Sequence, residues 1–158
     1  MHYRRAMRIA LHQPDIAGNV GAIMRLCACF SVPLDIVMPC GFAFSDKHLK
    51  RSAMDYGAAT DLTRHADFST FLAATHGRGS RLVLLTTAGD TRLPDMEFRP
   101  GDVLMMGSES VGAPPHVHDV ADACVRIPMA PGFRSLNIAV STGIALAEAL
   151  RQTGSYPP

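Results

Sequence analysis

An α/β fold, with a mostly parallel sheet flanked by helices, is what this sequence predicts, and two observations carry the prediction. Strand-like and helix-like segments alternate along the chain. Several of the strand candidates are also apolar at nearly every residue rather than at every second one. Continuous apolar runs mark strands covered on both faces, as in a parallel sheet, and not strands with one wet face.

The strand candidates are 7–11 (MRIAL), 34–38 (LDIVM), 82–86 (LVLLT), 103–106 (VLMM) and 124–127 (CVRI), with a weaker one near 59–62. Between them fall the helices. Asn19 is placed to cap a helix reaching about Cys29, whose inner stripe is Val20, Ile23, Met24 and Cys27. Ser45 is placed to cap a second, over 46–54. Segments 67–76 and 114–121 read as a third and a short fourth. The last runs from Asn137 to about Gln152 and stops at Gly154, a residue suited to the left-handed position after a helix. Residues 1–158 read as one domain, with 154–158 as a loose tail.

Two helices carry faces of small residues. In the first, Ala22, Arg25, Ala28 and Cys29 share a face; in the last, Ala139, Gly143 and Ala147 recur every four residues. Such faces suit either close packing on the sheet or a helix–helix contact between two chains. A large cation, Arg25, on such a face calls for a specific role.

Composition narrows the class. Hydrophobic residues make up 47% of the 158, which argues against global disorder. A chain of this length can bury roughly two-thirds of its unfolded surface, enough for a core without staples. Aromatics are 6% and tryptophan is absent, so aliphatic residues and methionine must fill that core. The net charge of +1 rules out a uniformly basic nucleic-acid binder, and any such contact must come from a local patch. No apolar run approaches the ~18–20 residues of a membrane span, and the first residues lack the apolar stretch of a signal peptide, so a cytoplasmic protein is expected. Cys27, Cys29, Cys40 and Cys124 contain no C-x-x-C pair, and reduced thiols are expected rather than a metal site or a disulfide.

Three segments bear chemistry. Gly107-Ser-Glu109-Ser-Val-Gly112 follows a strand, at the end where α/β sheets bind ligands. It is neither a P-loop nor a dinucleotide fingerprint, and alone it reads more readily as a tight turn with a surface Glu. Ile127-Pro-Met-Ala-Pro-Gly-Phe-Arg-Ser-Leu-Asn137 follows the next strand. Its backbone groups could meet a planar base, although a simple connection ending in a cap explains Asn137 as well. Asn19-x-x-Gly-x-x-Arg25 is the third. Lys47, His48, Lys50 and Arg51 form the one dense basic run, which suits a solvated helix face or a phosphate-contacting surface.

These three segments, in this order, resemble the SPOUT superfamily of RNA methyltransferases, and in particular the short tRNA 2′-O-methyltransferases that modify the wobble nucleotide. The resemblance runs from Ile9 to about Gly154. It includes His12-Gln13-Pro14-Asp15-Ile16, 38–44 (MPCGFAF), Asp46-Lys47, Asp55-Tyr56 and Leu85-Thr86-Thr87. It implies a trefoil knot in the carboxyl-terminal part, a homodimer, and S-adenosyl-L-methionine as methyl donor with no metal. Residue by residue, it implies a donor site at Leu85, Gly107, Ile127 and Ser135, shaped by Glu109, Gly112, Met129, Leu136 and Asn137. It gives Arg25 the position of the catalytic arginine and Asn19 that of its supporting asparagine. RNA contacts would fall on Lys47, Lys50, Arg51 and Arg134, the substrate being the anticodon stem-loop of tRNA, with leucine isoacceptors expected.

Two positions depart from the family pattern. Ala139-Val140-Ser141 stands where the wobble enzymes commonly carry Ser-Asn-Ala, and Ala147 where many have a tyrosine. Both lie on the last helix, away from the donor loops. Two alternatives share these motifs: 2′-O-methylation of another tRNA or rRNA nucleotide, and a non-catalytic knotted RNA-binding protein. For the chemistry, arginine is a poor general base. Arg25 is therefore expected to hold a phosphate and polarise the 2′-hydroxyl, leaving the proton's acceptor open.

Overall fold

The computed structural model of the protein describes residues 5–45 and 56–158. The helix predicted over 46–54 and the basic residues Lys47, His48, Lys50 and Arg51 lie outside the described residues.

The chain runs β1 (Arg8–His12), α1 (Ala17–Phe30), β2 (Leu34–Val37), β3 (Leu62–His65), α2 (Phe68–Gly77), β4 (Leu82–Leu85), β5 (Thr91–Arg92), β6 (Val103–Met106), α3 (Pro115–Val120), β7 (Ala123–Arg126) and α4 (Ile138–Thr153). Short 3₁₀ turns precede β3 and follow β5. One sheet holds the seven strands of the described residues in the order β3-β2-β1-β6-β4-β7-β5. Every strand pairing is parallel. The α/β expectation therefore holds, and the continuous apolar runs have the cause proposed for them: β2, β4 and β6 are buried at every residue.

Helices α1 and α4 cover one face of the sheet. There Val20, Ile23, Met24 and Cys27 of α1 pack with Leu146, Ala149 and Leu150 of α4 and with Ile9, Leu11, Ile36 and Leu104 from the strands. Helices α2 and α3 cover the other through Phe71 and Val117, against Ala10, Val37, Leu84 and Met105. The stripe read along α1 is its buried face. Burying each large aliphatic side chain contributes about 1.5–3 kcal/mol. Among the described residues no helix is long and apolar enough to cross a membrane.

Three sequence expectations are corrected, and one strand, β5, was not foreseen. Asn19 does not cap α1. The cap position is Ile16, whose carbonyl accepts from the Asn19 and Val20 N–H groups, and no side chain caps this end. The weak strand near 59–62 is displaced: 56–59 form a 3₁₀ turn and the strand is Leu62–His65. β5 is only two residues long, Thr91 and Arg92, and has no apolar signature. The expected loose tail is instead docked. Gly154, in the left-handed conformation, ends α4, and Ser155 N–H donates to Leu150 O at 3.0 Å. Tyr156 Oη then donates to Ala147 O at 3.2 Å while its ring packs edge-on against Phe30. Asp67 does cap α2, accepting from Thr70 N–H, and Asn137 caps α4, accepting from Ala139 and Val140 N–H.

A carboxylate is fully enclosed within the sheet. Asp35 in β2, with no exposed side-chain surface, takes Arg8 Nε at 2.7 Å and His65 Nε2 at 2.8 Å, joining β1, β2 and β3. Burial alone would raise its pKa, but the hydrogen bonds from Arg8 and His65 outweigh burial and leave it below the ordinary carboxylate value. Asp35→Ala strands the buried ends of both partners and is expected to cost about 3 kcal/mol in urea unfolding. The sign with pH follows from the lowered value. The stabilisation is complete above the unfolded pKa, about 3.9, and is lost as pH falls through the folded one. Wild type should therefore lose stability to acid over that window more steeply than Asp35→Asn, and parallel curves would refute the assignment.

Candidate functional site

The site lies where the sheet order reverses. β1 sends α1 to one face and β6, its neighbour, sends α3 to the other. The loops leaving adjacent carboxyl ends diverge there and leave a crevice. The loops after β4, β6 and β7 wall a cavity of about 870 Å³, within the range of small-molecule sites.

All nine residues expected to bind the donor line this cavity: Leu85, Gly107, Glu109, Gly112, Ile127, Met129, Ser135, Leu136 and Asn137. Asn19 and Arg134 line it too, whereas Arg25 is not among its lining residues. The Arg25 guanidinium lies 4.9 Å over the Tyr56 ring, on the outer side of α1. The structure thus brings the residues expected to bind the donor together and leaves Arg25 outside their cavity within one chain.

Backbone requirements explain the glycines. A Cβ on Gly107 would lie 2.3 Å from Ala113 N and 2.5 Å from Gly112 C, because the loop doubles back on itself through a bridge between Ser108 and Gly112. Gly112 has φ +69°, the left-handed region that favours glycine. The second loop is more open than its composition suggests. Residues 131–137 are all exposed, with Phe133 at 75% and Leu136 at 40%.

A polar relay joins the segments. Asn137 Oδ1 is occupied by the α4 cap, so its amide points outward and donates to Asn19 Oδ1 at 3.2 Å. Asn19 Nδ2 then donates to Glu109 Oε1 at 3.4 Å, and Asp15 N–H donates to Glu109 Oε2 at 2.7 Å. Each polarity follows from the one before it, since a carboxylate only accepts. Helix α1 has no acidic residue in its first turn and no side-chain cap of its own. Glu109, some ninety residues away, places a carboxylate at that positive end. Both carboxylate oxygens are thus engaged in holding α1 to the loop.

The surroundings are chemically quiet. His12 is buried between Phe68 and His116 below the β1 end. Burial, and then His116, hold its pKa below the ordinary value, so it is neutral at pH 7. Burial first, with Glu109 adding to it, pushes the Cys40 thiol up to about 11, which makes it a poor nucleophile.

Sequence reasoning missed Ile16 and Phe133, which line the cavity. It also missed Arg126, whose Nη1 donates to Gly89 O at 3.0 Å and Asp90 O at 3.3 Å and holds the loop after β4 against β7. An arginine inside a strand candidate was the one available signal for it.

Residues 6–147 match the model of the SpoU rRNA methylase family. The chain belongs to this family. Among relatives, it is 49% identical over 147 residues to a tRNA (cytidine(34)-2'-O)-methyltransferase of Beijerinckia indica, an alignment covering 93% of this chain and 92% of that one. It is 40% identical to the enzyme of the same name from Escherichia coli K12, covering 96% of each. Among solved structures, one concerned with 2-OH methylation of C/U34 on tRNA matches with TM-score 0.89 and 38% identity, over 94% of this chain and 97% of that one. An AdoMet-bound rRNA methyltransferase from Sinorhizobium meliloti matches with TM-score 0.84 and 30% identity, but this chain spans only 56% of it. Within the SpoU family, the chain therefore matches the short tRNA enzymes end to end and only part of the longer rRNA enzyme.

Proposed function

We propose that the protein transfers a methyl group from S-adenosyl-L-methionine to the ribose 2′-hydroxyl of nucleotide 34, the wobble position, in the anticodon stem-loop of tRNA, with leucine isoacceptors as the substrates. The observation that carries the reading is the convergence of all nine predicted donor residues on one cavity at the reversal of the sheet. End-to-end similarity to enzymes named for cytidine 34 favours tRNA over rRNA.

The cavity fits the donor. Its volume suits a nucleoside with an amino-acid arm, aliphatic Leu85, Ile127 and Met129 suit a base, and Ser135, Asn137 and Thr87 offer polar partners. Bound there, S-adenosyl-L-methionine supplies a methyl group already activated on a sulfonium, so no metal is required.

The protein's tasks are placement and handling of one proton. Arg25 holds the phosphate next to the target ribose and polarises its 2′-hydroxyl, and Asn19 keeps α1 in register with the donor loop. Arg25 reaches the cavity of a partner chain, because it stands outside its own. A homodimer is supported by an apolar face that one chain leaves uncovered: Val140 is 50% and Ile144 39% exposed, and Ala22, Cys29 and Ala147 are exposed beside them. Ala22, Cys29 and Ala147 are thus not consumed in packing on the sheet, although Ala139 does pack against the core. The loops after β4, β6 and β7, drawn from strands ordered β6-β4-β7, form the trefoil knot of the fold. The protein works in the cytoplasm, where tRNA is its partner.

Two experiments test this reading. Nucleosides from tRNA of cells with and without the gene are compared by mass spectrometry; loss of one 2′-O-methylated nucleoside is expected, and an unchanged set refutes the proposal. Neutralising Lys47, Lys50 and Arg51 should weaken tRNA binding and reduce the slope of log affinity against log salt by roughly 2, at ~0.7–0.9 per phosphate contact. An unchanged slope returns these residues to a solvated surface.

A further inference from the structure

The donor loop is held from behind by residues that do not line the cavity. Ser110 lies between Glu109 and Val111, which both do. It donates its backbone N–H, at 3.1 Å, and its hydroxyl to one oxygen, Asp15 Oδ2. Asp15 returns a hydrogen bond from its own N–H to Glu109 Oε2 at 2.7 Å. Hydrogen bonds to a charged acceptor are roughly twice as strong as neutral ones. A third loop closes the junction. Gly41 N–H donates to Pro14 O at 2.9 Å, and a Cβ on Gly41 would lie 2.8 Å from Asp15 Oδ1 and 3.0 Å from Asp15 Cα. Position 41 has no room for a side chain while Asp15 keeps its place. Asp15 stands two residues before α1, the helix that carries Asn19 and Arg25.

We propose that Asp15 is a positioning residue for methyl transfer. With Ser110 it forms a clasp that fixes the donor loop relative to α1 and so sets the distance between the methyl group and the hydroxyl that receives it. The inference rests on the methyltransferase reading. The clasp contacts the back of the donor loop and not its cavity surface. Its loss therefore acts on the alignment of two bound substrates more than on donor affinity, and a misplacement of about 1 Å costs on the order of 100-fold in rate.

The test compares wild type with Asp15→Ala, Ser110→Ala, the double variant and Gly41→Ala. Donor affinity is read by calorimetry, kcat with donor and tRNA both saturating, and melting temperature alongside. Asp15→Ala should lower kcat by ~10-fold or more while donor Kd moves by less than ~3-fold. Ser110→Ala should shift kcat in the same direction, and the double variant should be no worse than Asp15→Ala, as for two residues acting through one contact. Gly41→Ala should copy the split between kcat and Kd by displacing Asp15. Unchanged kcat, a loss that tracks melting temperature alone, or additive effects in the double variant would overturn the clasp. Should Asp15→Ala fail to fold, Ser110→Ala decides, since it removes only an exposed hydroxyl. Wild-type activity on tRNA, measured in the same series, tests the methyltransferase reading separately.

Discussion

Arg25→Ala should fold, bind S-adenosyl-L-methionine with near wild-type affinity, and transfer methyl groups at a rate lower by ~100-fold or more, the scale of losing a group that handles the proton. The three outcomes separate because the structure separates the residues. Arg25 is exposed on the outer side of α1, so its loss opens no cavity in the core. It is not among the residues lining the donor cavity, so donor affinity has no reason to fall. What disappears, on the proposed mechanism, is the cation that would hold a phosphate and polarise the 2′-hydroxyl. Arg25→Lys keeps the charge but not the fork of donors, and should recover only a small part of the rate. Mixing Arg25→Ala with a variant defective in the donor cavity should restore activity if each site takes its arginine from the partner. Turnover of Arg25→Ala close to wild type would remove this residue from the chemistry.

Gly107→Ala should weaken donor binding by about 10-fold or more, since forcing a methyl group into a closed site costs about 1–3 kcal/mol and about 1.4 kcal/mol is tenfold in affinity. A methyl group there would stand 2.3 Å from Ala113 N and 2.5 Å from Gly112 C. Both obstacles are backbone, so no side chain can swing aside. The loop must open, and with it moves Glu109, whose two oxygens hold Asp15 and Asn19. The fold should survive, because β6 ends before this residue and its pairing with β1 and β4 does not depend on the loop. Calorimetry with S-adenosyl-L-methionine, alongside far-ultraviolet circular dichroism, distinguishes a displaced loop from a lost fold. Wild-type affinity in Gly107→Ala would mean that the loop is not the donor wall.

Much of the fold was legible because parallel sheets bury both faces of a strand. That leaves unbroken apolar runs such as 82–86 and 103–106 in the sequence. The inner stripe of α1 was legible for the matching reason at helical period. β5 was not, because two residues held by β7 carry no pattern. Nor was the strand order, since pairing β6 between β1 and β4 is a long-range fact. At the site, Gly107, Glu109 and Asn137 could be named but not connected. The bland reading of Asn19 as a cap was reasonable from residue type and wrong in place. It sits inside the first turn of α1, and its amide serves Glu109 and Asn137 instead. Asp15 entered only as part of the 12–16 resemblance, with no role attached. Its partners lie 94 and 95 residues away, and only folding brings them together.

The central claim, methyl transfer to the 2′-hydroxyl of nucleotide 34, is tested most directly by removing that one oxygen from the substrate. Purified protein is given methyl-labelled S-adenosyl-L-methionine and either of two otherwise identical tRNAs, one with a ribose and one with a 2′-deoxyribose at nucleotide 34. Label should enter the first and not the second, with both binding equally well. Equal labelling of the two, or label in neither, would contradict the account.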